Sequence, residues 1–389
     1  MRIGIVTYVK DDNYGEELQA FATAYFLNKC GYDAEVIDLE KRVKELSASK
    51  DTIIPAIVNR FKVYGWKAPY YIYKKFASVR KGAKHHKEDY EFRKSQHQKF
   101  VDFFNQHTIH SEKYYTLEEI QTTSELPYDT YIAGSDQIWN YMHTDFLDVF
   151  FLEFAKKYNA KRISYAASIS VPKIPQSKKE EYRKLLDNIQ YLSVRESIGA
   201  KLLEKEFGKK AVVAIDPTFL LTMEDWLETI GENPLKGEDY VVVYTLSGST
   251  NIRNLAKSIA DKLECKTIVF MFGMETLINR DGRESKYGTS PSEWVGVMAD
   301  AKYVVTDSFH GTAFSINFNK PFTTLVNPVS NMNTRVMSIL RDLNLESRIL
   351  MDKGKLQAPV TLTIDYEIVN QMVNNWRKRS IDFLLNALK

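Results

Sequence analysis

The sequence is poor in residues that cross-link a protein and has no long apolar run. Its 389 residues include only two cysteines, Cys30 and Cys265, which are far apart and show neither a CxxC motif nor zinc-like spacing. We therefore expect neither a disulfide framework nor a metal site. No apolar run approaches the roughly 18 residues that a membrane-spanning helix needs. The opening run MRIGIVTYV has no basic region or cleavage site, which predicts a first core strand and a cytoplasmic location.

Several motifs of common enzyme classes are also absent. The sequence contains no GxGxxG, no P-loop, no HExxH and no GxSxG nucleophile elbow. Their absence argues against dinucleotide-dependent enzymes, NTPases, metalloproteases and esterases.

The net charge is only +3, but it is unevenly distributed. The segment 60–102 carries twelve basic and four acidic residues, which leaves the remainder of the chain acidic. Aromatic residues are interleaved, a pattern that suits peripheral contact with an anionic membrane surface. The alternative is a solvated helical insertion whose aromatic side chains pack on the core. No nucleic-acid motif accompanies the segment, so nucleic acid is not an expected partner.

Strand and helix patterns alternate along nearly the whole chain, which indicates an α/β fold with parallel sheets. We predict an N-terminal Rossmann-like domain at 1–230, with a basic helical insertion at about 41–115. A Gly-, Asn- and Pro-containing stretch at 231–237 is typical of a linker. A C-terminal Rossmann-like domain at 238–364 and a closing helix at 365–389 follow. The most economical architecture is two Rossmann-like domains that face a cleft.

The stretch KYVVTDSFHGTAFSINFNKP at 302–321 is the most informative part of the sequence. It predicts a buried strand at 303–306, a turn, and a helix that opens at His310, Gly311 and Thr312. A helix N-terminus presents unpaired N–H groups and favours anions. Ser308 is a natural N-cap residue, and Gly311 would let a ligand approach the backbone. Histidine titrates near neutral pH, so His310 is a candidate acid or base, the alternative being a structural histidine.

Polar residues in the first half follow predicted strands, at the sheet edge where open α/β sheets bind ligands. Asn13 and Gly15 fit a tight turn before a helix at 16–30, and either a ligand loop or a plain turn fits this pattern. Ser135 and Asp136 lie in a second such loop, where Asp136 could act as a base, bind hydroxyls or be structural.

Arginine residues provide candidate anion ligands near the same cleft. Arg195 follows a short apolar strand, and its planar guanidinium suits a carboxylate or phosphate. Pairing with the adjacent Glu196 is the competing role. Arg335, at the start of a predicted helix at 334–343, offers a second cation.

Together these motifs are similar to those of the polysaccharide pyruvyl transferase family. The matching stretches occur in family order between about 2 and 348, and the basic insertion is not among them. They are NYGEELQA at 13–20, YIAGSDQIW at 131–139, SYAAS at 164–168, SVRE at 193–196, DPT at 216–218 and TDSFHGT at 306–312.

The resemblance implies a GT-B-like fold and transfer of the pyruvate unit of phosphoenolpyruvate onto sugar hydroxyls, usually as a cyclic ketal. The acceptor would be a cell-surface polysaccharide, such as a capsule or exopolysaccharide, or its lipid-linked precursor. His310 matches the family's histidine and would be the general acid, while Arg195 matches an arginine that holds the donor. The implied scheme needs no metal and no cofactor besides phosphoenolpyruvate as donor substrate.

One stretch departs from the family pattern. Many members read Ser-Arg-X-His-Gly before the helix, whereas this sequence reads Ser308-Phe309-His310-Gly311, without the arginine and one residue shorter. Either a donor cation is missing or Arg335 supplies it. Two other functions remain open: a GT-B glycosyltransferase that uses a nucleotide sugar, and a non-catalytic relative that binds a sugar or an anion.

Overall fold

The computed structural model describes residues 1–40, 86–124, 126–271, 275–327, 334–353 and 363–389. Much of the predicted insertion, including the basic and aromatic stretch at 60–85, lies outside the described residues. From residue 86 onward the insertion is helical, as predicted, and then continues into a strand. None of the helices within the described ranges combines the length and apolar character needed to cross a bilayer.

The first half is built on a five-stranded parallel sheet in the order β3-β2-β1-β4-β5. Its strands are β1 (Arg2–Val6), β2 (Asp33–Leu39), β3 (His110–Tyr115), β4 (Thr130–Ala133) and β5 (Lys161–Ser164). A parallel pair, β6 (Ser193–Val194) and β7 (Val212–Val213), lies beyond β5 and is joined to it by isolated bridges. The central strands β1, β2 and β4 are mostly buried and rich in Val, Ile and Ala, as expected of strands covered on both faces.

The first half also forms helices, between and after its strands. They are α1 (Tyr14–Lys29), α2 (His86–His107), α3 (Glu119–Thr122), α4 (Leu147–Phe150), α5 (Gln176–Leu186), α6 (Ser197–Phe207) and α7 (Met223–Thr229). Helix α1 begins directly after the β1 loop because Asn13 caps it, its Oδ1 accepting a 3.0 Å hydrogen bond from the Gly15 N–H.

The second half contains a seven-stranded sheet in the order β11-β10-β9-β8-β12-β13-β14. Its strands are β8 (Tyr240–Tyr244), β9 (Lys266–Phe270), β10 (Thr276–Ile278), β11 (Glu284–Lys286), β12 (Tyr303–Thr306), β13 (Phe322–Val326) and β14 (Ile349–Met351). All pairings are parallel except those of β10, which is antiparallel to both neighbours. The helices are α8 (Thr250–Leu263), α9 (Pro291–Asp300), α10 (Phe309–Asn317), α11 (Thr334–Asp342) and α12 (Tyr366–Leu388).

The two halves meet along the carboxyl ends of their central strands. Tyr14, at the start of α1, stacks on Trp294 of α9 with ring centroids 5.2 Å apart. The Tyr244 hydroxyl at the end of β8 donates to Asn13 Oδ1 at 3.2 Å. These contacts bring the first turn of α1 to the edge of the second sheet, where ligands of open α/β sheets bind.

The last helix crosses back from the second half to the first. Trp376 Nε1 donates to the Val213 carbonyl at 2.9 Å, and Ser380 Oγ accepts a 2.9 Å hydrogen bond from the Ile215 N–H. Helix α12 therefore covers the end of β7 as well as closing the chain.

The strand predicted at 303–306 is confirmed residue for residue. The prediction that the helix after β12 begins at 310–312 is wrong by a short margin, since α10 begins at Phe309. Sequence reasoning missed β3, β10, β11 and β14, which lie at or near sheet edges and lack a run of buried apolar residues.

Candidate active site

His310 lies in the first turn of α10, at the point where the two halves touch. It is buried, with 4% of its surface exposed, and its ring lies against Gly15 of α1. A Cβ added to Gly15 would be 2.0 Å from His310 Nδ1, so only glycine leaves room for the imidazole. The N-termini of α1 and α10, which both favour anions, thus converge on one histidine.

The residues around His310 hold α10 against its own sheet. The N-cap Ser308 makes no side-chain capping bond, and its N–H donates to Thr306 Oγ1 at 3.0 Å. A Cβ on Gly311 would be 2.3 Å from Thr306 Oγ1, which gives this glycine a packing reason. The Thr312 hydroxyl bonds the Ser308 carbonyl and Thr324 Oγ1, both at 2.9 Å.

Arg195 lies at the centre of a buried charged cluster. Its Nη1 donates to Asp216 Oδ2 at 2.6 Å and to Ser135 Oγ at 3.3 Å. Its Nε is 3.7 Å from Glu196 Oε1, and its guanidinium carbon is 4.1 Å from the centroid of the Phe309 ring. Burial alone would lower the pKa of Arg195, but the three neighbouring carboxylates raise it, so the side chain remains a cation.

Asp136 lies between the two arginines of the cluster. Its Oδ1 is 3.6 Å from Arg195 Nη2 and 3.7 Å from Arg335 Nη1. Burial would raise the pKa of Asp136, but His310 and both arginines lower it below its ordinary value. Its backbone is left-handed, with φ of 71°, a strained conformation of the kind that persists at functional sites.

Asp216 connects the arginine to the histidine. The same Oδ2 that accepts from Arg195 lies 3.7 Å from His310 Nε2, and Oδ1 accepts from Thr218 N–H at 3.0 Å. Burial opposes ionisation of Asp216, yet His310 and Arg195 lower the pKa of its carboxyl group well below the usual range. A single ionised carboxylate thus faces both residues.

Glu196 is the third carboxylate of the cluster and differs from the other two. Its Oε1 accepts a hydrogen bond from Ser168 Oγ, and burial raises the pKa of its carboxyl group despite the nearby arginines. The cluster therefore combines two carboxyl groups whose pKa is lowered with one whose pKa is raised.

Several nitrogens of this cluster lack a hydrogen-bond acceptor among the described residues. They are Arg195 Nε and Nη2, Arg335 Nε and His310 Nε2. Buried donors without acceptors cost about 1–3 kcal/mol each, so such a concentration calls for an explanation. An anionic ligand with several oxygens would satisfy them.

A cavity of about 480 Å³ opens beside the cluster, in the second half. Phe309 and Arg335 line it and also belong to the cluster. Apolar Leu246, Leu325 and Val336 line it together with polar Ser247, Ser249, Asp307, Asn327 and Asp352. Such a volume falls within the range of about 300–1,000 Å³ typical of small-molecule sites.

The structure brings most of the predicted site residues together. Ser135, Asp136, Arg195, His310 and Arg335 form the cluster, and Gly15 touches it. Asn13, Ser308, Gly311 and Thr312 lie next to it and make the capping and packing contacts given above. No group of three or more His, Cys, Asp or Glu side chains suited to a metal ion occurs in the part of the chain that the structure describes.

Three members of the cluster were not predicted as site residues: Glu196, Asp216 and Phe309. Asp216 directly follows the apolar run at the end of β7, a position like that of Asp136 after β4, so the same reasoning could have found it. Phe309 is apolar, so its residue type did not mark it as a candidate for the site. Its role depends on the Arg195 side chain lying over its ring, which only the folded chain shows.

The arrangement of two mainly parallel sheets that meet at their carboxyl edges, with a last helix returning to the first half, is that of a GT-B-like fold. A putative UDP-N-acetylglucosamine 2-epimerase from Listeria monocytogenes has a similar structure, with a TM-score of 0.50 and 10% identity over 98% of this chain and 87% of that chain. UDP-GlcNAc 2-epimerase from Neisseria meningitidis matches with a TM-score of 0.46 and 10% identity, over 99% and 100% of the two chains.

The sequence itself identifies the family. The profile of polysaccharide pyruvyl transferase matches residues 13–328, which is most of the chain. The chain therefore belongs to the polysaccharide pyruvyl transferase family, a family of transferases, and the predicted resemblance is confirmed. A comparison with curated proteins gives no significant match.

Proposed function

We propose that this protein transfers the pyruvate unit of phosphoenolpyruvate onto hydroxyl groups of a sugar. The observation that carries the proposal is a set of buried guanidinium and imidazole nitrogens, on Arg195, Arg335 and His310, that have no acceptor among the described residues. Phosphoenolpyruvate offers a carboxylate and a phosphate, which match paired guanidinium groups in charge and in hydrogen-bonding geometry.

Arg335 serves as the second donor cation in this proposal. It comes within 3.7 Å of Asp136 and lies 5.9 Å from the Phe309 ring, on the cavity side of the cluster. Counted back from His310, the arginine of the family pattern falls at Ser308, next to Phe309. The guanidinium of Arg335, from a different helix, thus lies near the segment that lacks this arginine.

The first step of the proposed reaction is a proton transfer. His310 donates a proton to the methylene carbon of phosphoenolpyruvate, and C2 becomes cationic. A sugar hydroxyl oxygen bonds to C2, the bond between C2 and the phosphate oxygen breaks, and phosphate leaves. A second hydroxyl closes the ketal. Of the two hydroxyl protons, one replaces the proton that His310 gave up and the other leaves with phosphate. General acid catalysis of this kind typically contributes about 10²–10⁴-fold.

Asp136 and Asp216 supply the negative charge that the two arginines and the histidine need before the donor binds. In this proposal Asp136 holds both guanidinium groups, and as an ionised carboxylate it can also accept a hydrogen bond from an acceptor hydroxyl. Asp216 orients His310 and Arg195 together.

The donor is tested by thermal unfolding of the protein with phosphoenolpyruvate, inorganic phosphate or UDP at millimolar concentration. A ligand at about 100 times its dissociation constant stabilises by about 2.7 kcal/mol, which gives a measurable shift. We expect a larger shift with phosphoenolpyruvate than with phosphate or UDP, and a smaller one in Arg335→Ala. Arg183→Ala, an exposed arginine on α5, is the matched control. A shift with UDP alone would favour a nucleotide-sugar glycosyltransferase instead.

The acceptor and the location of the protein are further parts of the proposal. We propose a cell-surface polysaccharide or its lipid-linked precursor as acceptor and a cytoplasmic enzyme that touches the inner membrane face through its basic insertion. This contact rests on the sequence at 60–102. Flotation with anionic vesicles tests it, since neutralising Lys74, Lys75, Arg80 and Lys81 together would reduce binding; unchanged binding would rule it out.

A further inference from the structure

We propose that the cavity beside Arg335 is the subsite for an uncharged sugar unit of the acceptor, which it holds through two fixed carboxylates, Asp307 and Asp352. The inference rests on the proposed function and extends it, because it assigns the acceptor to a particular set of residues and specifies its charge.

The cavity lies at the carboxyl edge of the second sheet. Asp307 follows β12, Asn327 follows β13 and Asp352 follows β14, while the loop 246–249 follows β8. Since Phe309 and Arg335 line the cavity and also belong to the cluster, a ligand in the cavity adjoins the proposed donor site.

The carboxylate of Asp307 is held in place by the β8 loop. Its Oδ1 accepts from the Leu246 N–H at 2.7 Å, and its Oδ2 accepts from Thr245 Oγ1 at 2.8 Å and from Ser247. Among the described residues Oδ2 thus accepts three hydrogen bonds and Oδ1 only one, so Oδ1 can still accept from a ligand hydroxyl.

Asp352 is held in a similar way from the start of α8. Its Oδ2 accepts from Ser249 Oγ at 3.0 Å and its Oδ1 from Asn251 Nδ2 at 2.6 Å. Two carboxylates with fixed directions and free acceptor sites suit the hydroxyl groups of a sugar, which donate hydrogen bonds without carrying charge. Leu246, Leu325 and Val336 provide apolar surface for the C–H groups of the ring.

An independent observation on another lining residue, Arg335, points to a ligand. Arg335 lines the cavity, is only 6% exposed, and its Nε has no hydrogen-bond acceptor within the described ranges. The cavity therefore combines one cation, which also belongs to the proposed donor site, with two carboxylates. A phosphate-bearing group placed among the carboxylates would be repelled, whereas a neutral sugar would not.

The test measures binding of simple sugars rather than catalysis. Saturation-transfer NMR is recorded with the methyl glycosides of glucose, galactose, mannose and N-acetylglucosamine, and with glucose 1-phosphate and UDP. We expect signal from at least one neutral glycoside, with no competition by glucose 1-phosphate or UDP. Asp352→Asn should weaken that binding by about tenfold, as expected for a lost hydrogen bond to a charged group.

Two further variants separate the cavity from the fold. Leu246 is 38% exposed, so Leu246→Trp should fill the mouth of the cavity and abolish glycoside binding without disturbing the core. Asp261→Asn, on the exposed face of α8, should bind like the wild type. All three variants should keep the thermal shift with phosphoenolpyruvate.

The outcomes distinguish this inference from the proposed function. Glycoside binding that survives both Asp352→Asn and Leu246→Trp would overturn the subsite, as would no glycoside binding or displacement of the glycoside by UDP. Loss of the phosphoenolpyruvate shift in the wild type, with glycoside binding intact, would instead overturn the donor and leave the sugar subsite standing.

Discussion

Gly15 and His310 come from different halves of the chain, yet the backbone of one limits where the imidazole of the other can lie. A Cβ at position 15 would sit 2.0 Å from Nδ1 of His310 and 2.7 Å from its Cβ. The first turn of α1 therefore packs against the Nδ1 edge of the imidazole, while Nε2 lies 3.7 Å from Asp216 Oδ2. The position of the proposed acid depends on how the two halves come together.

Gly15→Ala tests this relationship directly. The added methyl group must displace the imidazole or separate the two halves, and overpacking of this kind costs about 1–3 kcal/mol. We expect lower stability in urea unfolding and a large loss of phosphate release from phosphoenolpyruvate.

The double variant Gly15→Ala/His310→Ala is the control, because it removes the ring atoms at 2.0 and 2.2 Å and leaves only the Cβ of residue 310, at 2.7 Å, near the added methyl group. Interacting sites show coupling energies of about 0.5–3 kcal/mol in such cycles. The stability cost of the double variant should therefore differ from the sum of the costs of the two single substitutions. Strict additivity would show that the contact does not constrain the ring.

Asp216→Ala should be among the most destabilising single changes in the first half. The substitution leaves the Arg195 cation buried without its 2.6 Å partner, and breaking a buried pair costs about 3–5 kcal/mol. Urea unfolding measures the effect. Asp187→Ala, which breaks a solvent-exposed pair with Lys209, should cost much less. Equal losses in the two variants would contradict the central role of Asp216.

Phe309→Leu tests whether the aromatic ring positions the donor arginine. A buried cation–π contact contributes about 2 kcal/mol, so the variant should bind phosphoenolpyruvate up to about thirtyfold more weakly. Isothermal titration gives the affinity. Phe318→Leu, a buried phenylalanine that follows α10, should lower stability and leave the affinity unchanged. If both variants weaken binding equally, the ring acts only through the fold.

Glu17 predicts a pH dependence of stability. Burial raises the pKa of its carboxyl group to about 8 in the folded protein, against an ordinary value of 4.5. Between these two values the folded state binds a proton that the unfolded state has released, so the free energy of unfolding falls as the pH rises and levels off above about 8. Glu17→Gln should flatten this slope between pH 5 and 8.

The matched control for this pH dependence is Glu204→Gln, an exposed glutamate on α6. It should leave the slope of stability against pH as it is in the wild type. Urea unfolding at several pH values gives both slopes. An unchanged slope in Glu17→Gln would show that another group accounts for the dependence.

The sequence predicted the central strands well because those strands are buried on both faces. Tyr303–Thr306 and Phe322–Val326 are short, mostly apolar runs between polar turns. In the folded protein they form β12 and β13. The edge strand β3 instead reads HSEKYY, with its middle residues exposed. Its pairing with β2 decides its structure, and no local pattern records that pairing.

The site residues were found to the extent that they directly follow strands. Asp136, Arg195 and His310 come immediately or almost immediately after β4, β6 and β12, and parallel strands end at one edge of a sheet. What could not be predicted is which charges share a partner. That Arg335 and Arg195 both approach Asp136 depends on the distance between α11 in one half and the β6 end in the other.

Helix α12 supplies hydrogen-bond partners to backbone groups that are synthesised much earlier than the helix. The Ile215 N–H and the Val213 carbonyl find their partners on Ser380 and Trp376, more than 160 positions later in the chain. While the ribosome is still translating the second half, these two backbone groups at the end of β7 lack their partners on α12. The first half can form its sheet during translation, but Val213 and Ile215 gain these hydrogen bonds only after Trp376 and Ser380 have been synthesised.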